Sequence, residues 1–307
     1  ENRVRGACAR YFDYRKDLSS MPSALFVNGD SRLNIKSGEA LFNEKDKMIT
    51  KAIFGEGHKS EDKLGKGVFK QYGKGVEGFH ISSCQFALHY FFEDKDVLMN
   101  FMRNLSDCTK VNGYFIGGCY DGNLIFERLK NKTKGDGITL MNKDNNEKIW
   151  QITKQYDNEK LKDDVSSLGI GIDIYQETIN KTFREYLVNF NYLIRVMENY
   201  GFVPLENEDA RKMGLPNGMG NFKELFEQLE QDIERNKNIK KDIKKSLYMT
   251  DNEKTISFLN KYFVFKKIRN VDAKSVKIET EEDDLNEEES SVHKKSDKKG
   301  KKIRLVE

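Results

Sequence analysis

The chain has 307 residues, 34% charged and 37% hydrophobic, and its 53 basic and 50 acidic side chains leave a net charge of +3. That length allows one large core or two smaller ones, and the near-balance of charge removes any global pull toward nucleic acid, so a basic patch must be local. No apolar run nears the ~20 residues that span a bilayer, no signal peptide is visible, and the four cysteines form no CxxC pair and no zinc spacing with the histidines, which suits reduced, intracellular thiols.

In chain order, residues 1–16 read as a helix, and SALFVNGDS (23–31) reads as a short buried strand ending at Asn28-Gly29-Asp30. Residues 55–79, rich in Gly and Lys, read as a long exposed loop. A buried strand at 80–84 then leads into a short helix. Residues 94–108 form an amphipathic helix with Val97, Leu98, Phe101, Met102 and Leu105 on one face. GYFIGGCYDGN (113–123) is a buried strand ending in a turn, with LIFERLKN helical after it. KIWQITKQY and GIGIDIYQE alternate as strands, and EYLVNFNYLIRVMENYGF (185–202) reads as a helix capped by Gly201. NFKELFEQLEQDIERN is a further helix, and TISFLNKYFVFKKI runs from a short helix into a last strand. Strands alternating with helices predict an α/β sheet covered on both faces. From about 271 an acidic block precedes a basic one with almost no aromatics. The expected organisation is one domain at 1–270 and a charged, disordered tail at 271–307.

In open α/β sheets ligands sit beyond the carboxyl ends of the strands, where Asp30, Gln85 and Cys119-Tyr120-Asp121 all fall. Each also has an ordinary reading. Asp30 can form a turn with Asn28 and Gly29, His89 can be a satisfied core histidine, and Tyr90 can be packing. Glu185, read near a helix start, can serve the helix dipole, or its carboxylate can accept the two N–H donors on a guanine edge. No G-x-G-x-x-G lies between a strand and a helix, and no GxSxG or HExxH occurs.

Gln85, His89 and Tyr90 share an apolar run, ISSCQFALHYFFED (81–94), with GYFIGG about twenty residues on. This pattern closely resembles the mRNA cap guanine-N7 methyltransferases. The resemblance continues in CARY (8–11), FVNGDS (26–31), EYLVNF (185–190) and NKYFVFKK (260–267), in the family's order. GCYDGN and QETIN (176–180) look most like the versions in capping enzymes of large DNA viruses.

The resemblance implies a Rossmann-like, S-adenosylmethionine-dependent methyltransferase fold and methyl transfer to N7 of the cap guanine of RNA. It makes Asp30, Gln85 and Tyr90 cofactor contacts and Arg10, His89, Glu185 and Tyr262 cap contacts, with no metal and no general base. It also implies capped RNA as partner, fused or associated RNA triphosphatase and guanylyltransferase activities, and a location in the nucleus or a viral factory or virion. The family's glycine-rich loop and ribose-holding acid have no counterpart here. The expectation is therefore that the native protein continues N-terminally, and that this chain alone binds cofactor poorly and folds unstably. The family's usual Pro-Asn is replaced by Tyr120-Asp121. Two rival readings are a non-catalytic module that binds cap, RNA or a capping partner, and a methyltransferase with another acceptor.

Overall fold

A computed structural model describes residues 6–276, except 19, 143–144, 242 and 244–245. The chain divides into two compact units, Glu1–Phe79 and His80–Glu307. Among the described residues no helix is long and apolar enough to cross a membrane.

The first unit holds three helices, α1 (Ala7–Asp17), α2 (Glu44–Ile53) and α3 (Glu61–Phe69). Tyr11 is the buried residue of α1, its hydroxyl donating to the Pro22 carbonyl at 2.6 Å and its ring meeting Phe26 edge-on. Asn43 caps α2 by accepting from the Asp46 N–H at 2.9 Å, which satisfies one of the free donors of the first turn. Two expectations fail here. Residues 23–31 are not a buried strand: Leu25, Phe26 and Val27 are exposed, and the one bridge is Gly29 to Leu41. An apolar run supplies the pattern of a strand but needs a neighbouring strand to become one. Residues 55–79 are not all loop either. They contain α3, kinked where Gly65 takes φ +74°, and that glycine masks the helical period.

The second unit is built on two sheets. β1 (Phe79–Gln85), β2 (Thr109–Tyr120), β9 (Asn260–Lys267) and β7 (Phe202–Pro204) lie in that order, with β8 (Met219–Asn221) also on β9. β9 runs antiparallel to β2, β7 and β8. One face of this sheet, through Phe115, Phe263 and Phe265, packs on α4 (Lys95–Cys108) and α6 (Phe190–Asn199). The other face, through Ile116 and Val264, packs on α7 (Asn207–Lys212). The covered α/β sheet expected from the alternation is therefore present. β1 departs from expectation in being largely exposed, since it lies at the edge of its sheet and carries Phe79 and Ile81 uncovered.

The second sheet, unexpected as a separate layer, is an antiparallel meander of β3 (Gly137–Met141), β4 (Lys148–Lys154), β5 (Gly171–Gln176) and β6 (Lys181–Tyr186). Its apolar face, with Trp150, Ile152, Ile172 and Ile174, closes on α5 (Gly122–Arg128) and on Leu259. The remaining helices are α8 (Phe222–Arg235) and α9 (Asp251–Ser257), the latter started by a Thr250–Glu253 capping box. Gly201 closes α6 at φ +86°, as the sequence predicts. Residues 271–276 still pack on the core through Val271, Ala273 and Val276. The rest of the charged tail lies outside the described residues.

Gly117 lets β1 and β2 approach beneath the first sheet's aromatic layer. A Cβ there would strike the Cys84 carbonyl and the Phe263 ring. Gly117→Ala is expected to cost about 1–3 kcal/mol of stability, read as a lower denaturant midpoint. An unchanged midpoint would mean the strands can part without loss.

Candidate functional site

Phe86 turns the chain out of β1 with φ +52°, a conformation non-glycine residues seldom take, and its N–H donates to the Gly118 carbonyl at 2.7 Å. A short 3-10 turn, Leu88–Phe92, follows. Tyr186 at the end of β6 donates its hydroxyl to Glu93 at 3.1 Å, drawing that turn against the second sheet. The result sets His89 opposite Glu185.

Glu185 is not at a helix start, as the sequence suggested; α6 begins only at Phe190, and Glu185 sits in β6 opposite Ile172. Strand alternation explains its burial. Arg184 points to the other face and pairs with Asp173 at 2.5 Å, while Phe183 and Glu185 stand opposite Ile174 and Ile172 of the apolar face. Glu185 and His89 are 7% and 5% exposed, and Oε2 and Nε2 approach to 3.6 Å. Among the described residues neither imidazole nitrogen, nor Glu185 Oε2, has a hydrogen bond. Burial pushes the Glu185 carboxyl up to about 7 and the His89 imidazole down to about 4. At neutral pH the histidine is thus uncharged, offering one N–H and one lone pair, beside a carboxyl near its midpoint.

Both line a cavity of about 570 Å³ together with Tyr90, whose ring lies 4.2 Å from that of His89. Phe86, Tyr120, Gln176, Phe183, Phe222 and Asn260 contribute further wall. The cavity can therefore take a planar, partly apolar group with polar edges, and it holds an acceptor carboxylate and an imidazole ready for those edges.

Of the residues singled out in the sequence, His89, Tyr90 and Glu185 meet here. Gln85, exposed at the end of β1, donates to Ser83 Oγ at 3.1 Å and does not line the cavity. Tyr262 does not line it either: its hydroxyl donates to the Asn217 carbonyl at 3.0 Å, and Asn260, two residues earlier in β9, is at the wall instead. Asp30 and Arg10 belong to the first unit. Asp30 grips Arg32 with both carboxylate oxygens and accepts the Arg32 backbone N–H, a local turn of the ordinary kind, and that guanidinium holds its carboxyl below the usual range. Arg10 is exposed on α1. Phe86, Phe183, Phe222 and Asn260 were missed. Phe183 was legible in the alternation of KTFREY had that stretch been read as a strand, whereas the turn that places Phe86 leaves no mark in composition.

The family description mRNA (guanine-N(7))-methyltransferase domain matches residues 10–268. The chain belongs to this family. The Rossmann-like α/β methyltransferase fold comes with membership, and the first sheet with its antiparallel β9 is of that class. The chain is 29% identical over 183 residues to a probable mRNA-capping enzyme of Acanthamoeba polyphaga mimivirus, a match covering 58% of this chain and 14% of that protein. It is 35% identical over 78 residues to an mRNA cap guanine-N(7) methyltransferase of Caenorhabditis briggsae, covering 25% and 21%. The matched stretches are thus small parts of those relatives. Among solved structures, the CcbJ methyltransferase from Streptomyces caelestis aligns over 73% of this chain and 75% of its own, at 12% identity and a TM-score of 0.33.

Proposed function

We propose that this domain methylates N7 of the guanine cap of RNA, with S-adenosylmethionine as donor. The observation that carries the reading is the buried, unpaired carboxyl of Glu185 facing His89 across a cavity of nucleoside size. A guanine edge presents two N–H donors side by side, and a carboxylate is the side chain that accepts both. An adenine edge offers an acceptor at one of those places and leaves the carboxylate unmatched.

The side chains beside the cavity fit the cofactor: the Gln85 amide and the Tyr90 phenol, both exposed, complement its amino-acid and ribose groups, and by its motif alone Asp30 is the acid for the adenine amino group. When bound, S-adenosylmethionine supplies an electrophilic methyl on a sulfonium. Guanine N7 carries a free lone pair and attacks without first losing a proton, so no residue serves as base. Glu185 and His89 instead fix the base in the plane, Tyr90 stands beside it, and the aromatic walls exclude water. Orientation of this kind can supply about 7–11 kcal/mol. By its place in CARY, Arg10 is assigned to the cap phosphates. The mimivirus relative's name, and the 14% of its length that matches, favour action beside other capping activities, triphosphatase and guanylyltransferase.

The test is transfer of a labelled methyl group to guanine-capped RNA by the full gene product, with adenine-capped RNA and Glu185→Ala alongside. Transfer confined to the guanine cap and weakened by the substitution is expected. A folded protein that binds cap and transfers nothing would hand the domain to the binding-module reading.

A further inference from the structure

At the cavity a side chain of the first sheet reaches across to the second. Tyr120 ends β2 directly opposite Asn260 of β9, and both line the cavity. Its hydroxyl oxygen accepts from the Trp150 indole N–H at 3.2 Å. Trp150 and Gln176 are themselves directly paired across β4 and β5. One ladder position of the second sheet therefore holds the far end of a side chain that belongs to the first. Trp150 is 2% exposed and meets the Tyr120 ring edge-on at 6.5 Å, so the anchor is itself fixed by packing. With its hydroxyl held by Trp150, what Tyr120 offers the cavity is a ring anchored at its far end.

We infer that Tyr120 is the aromatic wall on which the acceptor base rests, with Trp150 as its positioning residue. This rests on the function proposed above and divides the labour within it. A ring held in place before binding loses no rotamer freedom when a base stacks on it, and stacking reads the face of a base rather than its edge. Tyr120 then sets how tightly a purine is held, while Glu185 sets which purine it is. Tyr262, the aromatic that the sequence nominated, has its hydroxyl tied to Asn217 and stands off the wall.

The experiment compares Tyr120→Leu, Tyr120→Phe, Trp150→Phe and Glu185→Ala in the full chain by steady-state methyl transfer. Tyr120→Leu is expected to raise KM for guanine-capped RNA by about 5- to 150-fold, the range for losing one base–aromatic stack. KM for S-adenosylmethionine, kcat and the preference for guanine over adenine caps should stay as in the wild type. Tyr120→Phe keeps the ring and loses the anchor, for a loss of about twofold; Trp150→Phe should match it, and the double variant should be no worse than either. Equal losses in Tyr120→Leu and Tyr120→Phe, or a Tyr120→Leu loss shared by KM for S-adenosylmethionine, overturn the inference. If Glu185→Ala loses guanine preference while Tyr120→Leu is silent, the inference falls and the proposed function stands. If both are silent, both fall. Trp150 is the only tryptophan of the chain, which gives a readout independent of turnover and of any variant's folding. A guanine cap dinucleotide should shift its emission in the wild type, and an unaltered emission at saturation overturns the inference.

Discussion

Glu185→Gln is expected to lower kcat/KM for guanine-capped RNA by about 30- to 1000-fold and, at pH 8, to make the protein more stable. The activity loss follows from replacing two acceptor oxygens by one acceptor and one donor: hydrogen bonds to a charged group contribute about 1.5–3 kcal/mol each, and the new N–H faces a guanine donor. The stability gain follows from burial. Holding a carboxyl at about 7 instead of 4.5 means that ionising it in the fold costs about 3 kcal/mol more than in the unfolded chain. The amide is spared that cost. Melting curves should therefore favour the variant at pH 8 and bring the two proteins together near pH 5, where the wild-type carboxyl keeps its proton. A variant that methylates as fast as the wild type would remove Glu185 from the site.

The second large effect is on pH dependence, and here the two members of the pair act in opposite senses. Glu185 has its folded value raised, so its favourable contribution is complete below about pH 4.5 and is lost as pH rises through about 7. His89 has its folded value lowered to about 4, so its contribution is complete above about 6.5 and is lost as pH falls toward 4. For function the carboxylate form is the one that accepts both guanine donors. Between pH 8 and pH 6 the ionised fraction of Glu185 falls from about nine-tenths to one-tenth, so kcat/KM for capped RNA should fall about tenfold. Once guanine is bound, its donors hold the carboxylate ionised, which moves the limb of the kcat profile to lower pH. Glu185→Gln should flatten the kcat/KM profile in this range. If kcat itself kept a limb near pH 7 that vanished in the variant, Glu185 would be acting as a base and direct attack by N7 would be wrong.

Much of the architecture could be read where side-chain periodicity is complete within a segment. The 94–108 helix shows its apolar stripe, and the structure buries Leu98, Phe101, Met102 and Leu105 as that stripe requires. Gly201 announced the end of α6. The misread strands have one common cause, dependence on partners distant in the chain. SALFVNGDS has the apolar run of a strand but pairs only at Gly29. β1 has the look of a buried strand, and its place at a sheet edge is set by pairing that its own residues do not encode. The site was half legible. His89, Tyr90 and Glu185 came from motif resemblance, and the structure brings them to one cavity for a reason the sequence hid, the strand that carries Glu185 having been read as helix. Residues 260 and 262 share a face of β9, yet Asn260 lines the cavity while the Tyr262 hydroxyl is bonded to Asn217, a difference the sequence pattern does not carry.

The place of β9 has a bearing on how the protein is made. It is the last strand among the described residues, yet it lies inside the first sheet, between β2 on one side and β7 and β8 on the other. Lys267 at its end also reaches back to the carbonyls of Ser106 and Thr109, at 2.6 and 2.8 Å, joining it to the close of α4. A ribosome delivers β2 and α4 about 150 residues before their central partner. Until then Phe115 has neither Phe263 nor Phe265 to cover it, and the nascent sheet holds an open slot lined with unpaired backbone. Maturation of this domain is thus a closing event, in which one late segment enters a waiting gap, and the interval before that entry is when chaperones have most to shield.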